Sequence, residues 1–180
     1  GMEGALRRRG DVVNAPAAEQ LGVADLDALR ALRLEALALH PDCFCADPDL
    51  EEARTAEQWK EALRRGTWFG VRKDGALAAI AAFTRPQSKK TGHTGELASM
   101  YVRSEARGSG IADALVRRIV EHAAGEVDQI KLAVNADNAR AIKLYERHGF
   151  RIVGRIPRYI RVGDRLHDEV IMLRGVSPSD

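Results

Sequence analysis

The run Arg107-Gly108-Ser109-Gly110-Ile111-Ala112 has the residue types and spacing to hold a phosphorylated ligand. It follows a run that reads as a strand, Leu97-Ala98-Ser99-Met100-Tyr101-Val102, and feeds an amphipathic helix from Ile111 to about Ala124. A glycine turn at a helix start gathers N–H groups that no helical carbonyl can satisfy. Together with the positive end of the helix dipole, those donors favour a phosphate or pyrophosphate. The glycines let the backbone approach the anion closely and take φ values other residues avoid. The bland alternative is a plain glycine turn between strand and helix. Two familiar phosphate loops fit poorly. Ile111-Ala112 stands where a Walker loop needs Lys followed by Ser or Thr. The dinucleotide fingerprint needs a third glycine in an opening βαβ unit, and this strand lies past mid-chain.

The elements that must position this loop are readable in outline. Asp11-Val12-Val13 reads as a short first strand. Asp25 to Leu39 reads as a helix capped by Asp25, with Leu29, Leu32, Ala36 and Leu39 on one face, ended by His40-Pro41. A polar, acidic connection runs to about Glu52, and a second helix spans about Thr55 to Arg65 before Gly66. Thr67 to Arg72 and Ala76 to Phe83 read as a hairpin around Asp74-Gly75. Arg85 to Gly95 is a polar loop before the strand Glu96 to Val102. On the helix after the phosphate loop, Ile111, Leu115, Ile119 and Ala123 share a face, which puts His122 on the outer side. Gln129 to Val134 is a strand. Asn138 caps a helix that stops at Gly149, and two long strands, Phe150 to about Val162 and Arg165 to Leu173, close the chain. The order β-α-α-β-β-β-α-β-α-β-β predicts an α/β (α+β) fold, a mixed sheet with helices on both faces.

Composition limits the function. The chain has 180 residues, which fits one domain over 1–180; Gly1 before Met2 reads as a cloning remnant. A net charge of +2, with arginines spread out, gives no argument for nucleic acid. Cys43 and Cys45 are too close in sequence for an ordinary disulfide and have no second pair to complete a zinc site, so two reduced thiols and no metal are expected. No run approaches the roughly eighteen apolar residues of a membrane helix. The basic start Arg7-Arg8-Arg9 is followed by Gly10-Asp11 rather than an apolar stretch. The expectation is a cytoplasmic protein with no membrane partner.

The segment Asn138-Ala139-Arg140-Ala141-Ile142-Lys143-Leu144-Tyr145-Glu146-Arg147-His148-Gly149-Phe150 carries a second motif at Asn138, Ala141, Tyr145, Gly149 and Phe150. With the Arg-x-x-Gly-x-Ala loop before it, the stretch Glu96 to Leu173 resembles the GNAT acetyltransferases. Leu32 to Leu37 and His40 to Phe44 resemble one branch of that family more weakly. The resemblance implies a central, mostly antiparallel twisted sheet of the GNAT acyl-CoA N-acyltransferase type. It implies acetyl-CoA as donor, a small-molecule or peptide amine as acceptor, transfer without a covalent acyl-enzyme, and often a homodimer. It places the pyrophosphate on the backbone of Arg107, Gly108, Ser109, Gly110, Ile111 and Ala112. The pantetheine arm lies along Met100, Tyr101 and Val102, where two parallel strands splay, near Asn138, Ala141 and Tyr145. The Arg107 side chain either touches phosphate or is solvated.

Acetyl transfer needs a base for the ammonium, a donor for the oxyanion and a proton for the departing thiolate. By resemblance Glu96, eleven residues before Arg107, is the base, directly or through a water; otherwise it is an exposed strand-end carboxylate. The Met100 N–H is the oxyanion donor. Tyr145 is the general acid, or else a core residue. His122, His148 and His167 have weaker claims, and His167-Asp168-Glu169 opens a strand that can line an acceptor pocket. Acceptor contacts are assigned to Phe44, Arg158 and Tyr159, within a site built from Leu37 to Phe44, Arg85 to Gly95 and the last two strands. A non-catalytic acyl-CoA sensor on the same fold is the alternative, and a nucleotide-binding domain a third.

Overall fold

The computed structural model describes residues 15–176. The expected strand at Asp11-Val12-Val13 lies outside them. Among the described residues the first strand is β1 (Ala18–Gln20), which pairs antiparallel with β2 (Gly66–Lys73). Between them lie α1 (Leu26–Leu39), a short α2 (Pro48–Glu52) and α3 (Ala56–Arg65). There follow β3 (Ala76–Thr84), β4 (Thr94–Val102), α4 (Ile111–Ala123), β5 (Gln129–Asn135), α5 (Ala139–Arg147), β6 (Arg151–Val162) and β7 (Arg165–Gly175). The strands form one sheet in the order β1-β2-β3-β4-β5-β7-β6, antiparallel except for β4 beside β5.

Local chemistry accounts for most of these elements. Asp74 and Gly75 both have positive φ, 52° and 80°, as a tight hairpin turn requires. Thr55 and Gln58 bond each other's backbone N–H and start α3. Asp25 precedes α1, but its carboxylate accepts from the Gly22 N–H and pairs with Arg72 instead of capping that helix. The alanine-rich β3 has weak strand propensity, yet Leu77 through Phe83 are all buried. Its small side chains let α1 approach one face of the sheet and α4 the other.

Two apolar layers result. Ile111, Leu115, Ile119 and Ala123 pack with Ile130, Leu132, Val170 and Met172 beneath α4 and α5. Leu29, Leu32 and Ala36 pack with Leu77, Ile80 and Tyr101 on the α1 face. His122 corrects the outer-face expectation. Its ring meets Phe69 and Phe83 edge-on, with centroids 5.5 and 5.3 Å away, because the imidazole covers the rim of the core. A Cβ at Gly95 would lie 2.3 Å from the ring of the buried Phe83. Gly95→Ala is therefore expected to cost about 1–3 kcal/mol by overpacking, read as a fall of several degrees in Tm.

Candidate functional site

The site begins where the two parallel strands part. β4 and β5 pair only from Thr94↔Gln129 to Glu96↔Lys131, although both run further, to Val102 and Asn135. A bulge in β4 accompanies the divergence. Ser99 and Met100 together face the single residue Ala81, and Ser99 takes φ 57°. Met100 to Val102 thus leave one edge unpaired toward the gap.

Beside that edge lies a cavity of about 570 Å3, in the size range of small-molecule sites. Met100, Tyr101 and Val102 line one wall, the loop from Arg107 to Ala112 the floor, and α5 with Asn138 and Ala141 the opposite wall. Phe44 closes one end. Gly108 and Gly110 have φ 77° and 79°, and a Cβ on either would meet nothing within 4 Å. Among the described residues, the N–H groups of Gly108 through Asp113 have no protein acceptor. The Arg107 N–H differs from expectation. It bonds the Ser104 carbonyl at 3.2 Å, closing a short 3-10 turn, so the converging donors start one residue later. The Ser109 hydroxyl bonds the Ala106 carbonyl and does not line the cavity.

The charged lining is organised in pairs. Arg107 folds back to the Val102 carbonyl at 3.2 Å and to the His40 ring at 3.3 Å. Asp113, a carboxylate in the first turn of α4, is held by His148 at 2.8 Å and Arg147 at 3.2 Å. Burial pulls its carboxyl upward, but these two bonds outweigh burial and hold it below the usual range. Asn138 accepts from the Ala141 N–H through Oδ1, capping α5, and donates to Cys43 Sγ at 3.8 Å. The Cys43 thiol is pushed up by burial and by Asp42.

Several expected residues stand outside this lining. Glu96 lies where the strands separate, 3.4 Å from Lys131 and half-exposed. Tyr145 is buried under α5 against Phe150. Burial, and secondarily the Cys43 thiol, hold its phenol well above the ordinary value, so it stays protonated. Arg158 and Tyr159 sit on β6, in a bulge where Arg158 has φ 55° and its N–H bonds Asp168 at 2.8 Å. The Arg85 to Gly95 loop lines a separate cleft with the α4–β5 turn. His40 and Cys43, within the segment Leu37 to Phe44 expected at the acceptor site, line this cavity, as does Arg147, which no local pattern marks. Among the described residues no group of His, Cys, Asp or Glu has the arrangement to hold a metal ion, and no helix is long and apolar enough to cross a membrane.

Comparison with known proteins gives a consistent picture. Residues 30–150 match the profile of the acetyltransferase (GNAT) family. The chain is 26% identical to the L-amino acid N-acetyltransferase AaaT of Escherichia coli, over 83% of this chain and 91% of that protein. It is 38% identical to the N-acetylaspartate synthetase of Danio rerio, over 53% of this chain, and spans only about a third of that protein's length. In three dimensions it resembles a GNAT-family acetyltransferase from Streptococcus pneumoniae, with TM-score 0.79 at 23% identity over 89% of this chain and 99% of that one. It also resembles yncA from Salmonella typhimurium, solved with its cofactor acetyl-CoA, with TM-score 0.74 at 20% identity over 89% and 94% of the two chains.

Proposed function

The chain belongs to the acetyltransferase (GNAT) family, and from that premise we propose that it is an acetyl-CoA-dependent N-acetyltransferase acting on a primary amine: a small amine, an amino acid or a peptide N-terminus. The observation that carries this reading is the open edge of β4 beside six amides without acceptors. Such a loop suits a pyrophosphate, and such an edge suits an extended amide-bearing arm. Acetyl-CoA supplies the acetyl group as an activated thioester.

The protein's own residues do the rest. The loop from Gly108 to Asp113 anchors the donor, while the unpaired edge of Met100 to Val102 sets its depth. The Met100 N–H, freed by the bulge at Ser99, is aimed at the charge that develops on the carbonyl oxygen. Glu96, at the point where the strands separate, takes a proton from the acceptor nitrogen, directly or through a water. Tyr145, kept protonated by burial, gives a proton to the leaving sulfur. The relatives named above point to amino acids as the first acceptors to try.

Incubation of the protein with acetyl-CoA and a panel of amines should release free thiol above the blank. Tight binding of acetyl-CoA with no thiol from any amine would leave a binding domain rather than an enzyme. Glu96→Gln is expected to lower kcat about tenfold with acetyl-CoA affinity unchanged. Unaltered turnover would remove Glu96 from the role.

A further inference from the structure

Buried charges are tolerated when they are paired. Among the described residues the buried side chains of Arg, Lys, Asp and Glu type are Arg33, Glu51 and Glu169. Arg33 and Glu51 pair with each other, through two contacts of 3.3 Å. Glu169 is 4% exposed and has no cation of a described residue within ion-pair distance. Its two carboxylate oxygens meet only the Cys45 thiol, at 3.7 and 3.9 Å. Among the described residues the fold therefore encloses a carboxylate with no cation in direct contact, Lys131 acting on it only from a distance.

Its position suggests what supplies one. Val170 and Met172 on β7 point into the core beneath α4 and α5, so alternation turns Glu169 and Ile171 to the α1 face. On that face Ala133 of β5, opposite Ile171, is exposed although β5 is a central strand. Among the described residues no α-helix packs on this strip, and the 3-10 turn Pro41–Cys43 approaches β5. The strip lies between Glu96, at the closed end of the β4–β5 gap, and Glu169, which is paired in register with Asn135. Glu96 already has Lys131 as its partner and is open to solvent. Cys45, which roofs Glu169, is itself exposed, so the carboxylate lies just below the surface.

We propose that Glu169 receives the ammonium group of the acceptor and takes its first proton, so that the substrate class is a cationic primary amine presented on the α1 face of the gap. This rests on the acetyltransferase reading. One proton passes from nitrogen to the Glu169 carboxylate and frees the lone pair. The carbon–nitrogen bond then forms and the carbon–sulfur bond breaks. The nitrogen's second proton leaves by way of Glu96 and water, the sulfur takes a proton from Tyr145, and the cycle closes when Glu169 gives its proton back to solvent and Tyr145 recovers one from it. One ammonium and one thioester thus give one amide, one thiol and one proton released to solvent. Burial raises the Glu169 pKa, aided by Glu96, while Cys45 and Lys131 pull it down. His167 stands two residues away on the same face of β7. A carboxyl raised above the usual ~4.3 is better matched to receiving a proton near neutrality.

The test compares wild type with Glu169→Gln and Cys45→Ala, using whichever amine releases thiol in the panel. Glu169→Gln should lower kcat/KM for the amine at least tenfold, leave the KM for acetyl-CoA unchanged, and remove the acid limb of the pH profile. Cys45→Ala keeps the carboxylate but removes its cover, and burial is the largest cause of its raised pKa, so that limb should move to lower pH. Calorimetry of the same amine into the protein saturated with coenzyme A should show binding for wild type and none for Glu169→Gln. The sign of the stability effect follows from the raised pKa. The unfolded chain ionises this group first, so wild type loses stability as pH rises through the folded pKa. Glu169→Gln should therefore melt at an equal or higher temperature above neutrality, with the gap closing near about pH 4. If wild type turns over and Glu169→Gln keeps kcat/KM within twofold with the same profile, Glu169 is not the amine site and the acetyltransferase reading stands. If wild type releases no thiol with any amine, both fall together.

Discussion

Valine at Gly110 is expected to weaken acetyl-CoA binding by about a hundredfold or more. Gly110 holds φ 79° at the start of α4, with nothing within 4 Å of where a Cβ would stand. An L-residue in that backbone region costs roughly 1–2 kcal/mol, and a β-branched one suffers most. The new side chain would also project into the volume on which the N–H groups of Gly108 to Asp113 converge. Each hydrogen bond to a charged group contributes about 1.5–3 kcal/mol. The strain falls on Tm; in binding, two lost bonds of this kind reach roughly 3 kcal/mol or more, and about 1.4 kcal/mol corresponds to each tenfold change in affinity. Gly75→Ala is the control. It carries similar backbone strain, φ 80°, in the β2–β3 turn, so it should lower Tm and leave affinity alone. If Gly110→Val binds acetyl-CoA within threefold of wild type by calorimetry, the phosphates rest elsewhere.

This loop was legible from residue types because its chemistry is local. Two glycines between an apolar strand and an apolar-faced helix announce a turn with open amides, and Ile111, Leu115, Ile119 and Ala123 are all buried as their spacing requires. The Asp74-Gly75 hairpin was legible for the same reason. β1 was not. Three residues at the sheet's edge, two of them polar, carry no periodicity, and only pairing with β2 makes them a strand. α2 is too short for a helical repeat to show, although Asp47 caps it and Pro48 opens it. The bulge at Ser99 is a non-glycine residue at positive φ, imposed by the register of β3 against β4. No residue type marks it. Strand alternation gives the face on which Glu169 lies, but its burial comes from Cys45 folding over it.

Tyr145→Phe is expected to separate stability from turnover. The ring is buried against Phe150, with centroids 5.9 Å apart, and phenylalanine keeps that contact. The hydroxyl makes no hydrogen bond among the described residues, so the fold loses no bond when it goes. Its removal leaves no partner unsatisfied, so the variant should melt at about the wild-type temperature. Its phenol is held protonated by burial and, secondarily, by the Cys43 thiol, and Cys43 lines the cavity. In the proposed role this phenol passes its proton to the leaving sulfur; the raised pKa keeps it protonated and at the same time makes it a weaker acid toward a thiolate. Positioned general acids contribute typically 10²–10⁴ in rate, and kcat should fall by about a hundredfold or more while acetyl-CoA affinity is kept. Single-turnover measurement of amide and thiol, beside Tm and calorimetry on the same samples, decides the matter. A variant with wild-type kcat makes Tyr145 a packing residue. A variant that loses both Tm and kcat shows that the hydroxyl holds the fold, and removes it from the proton path.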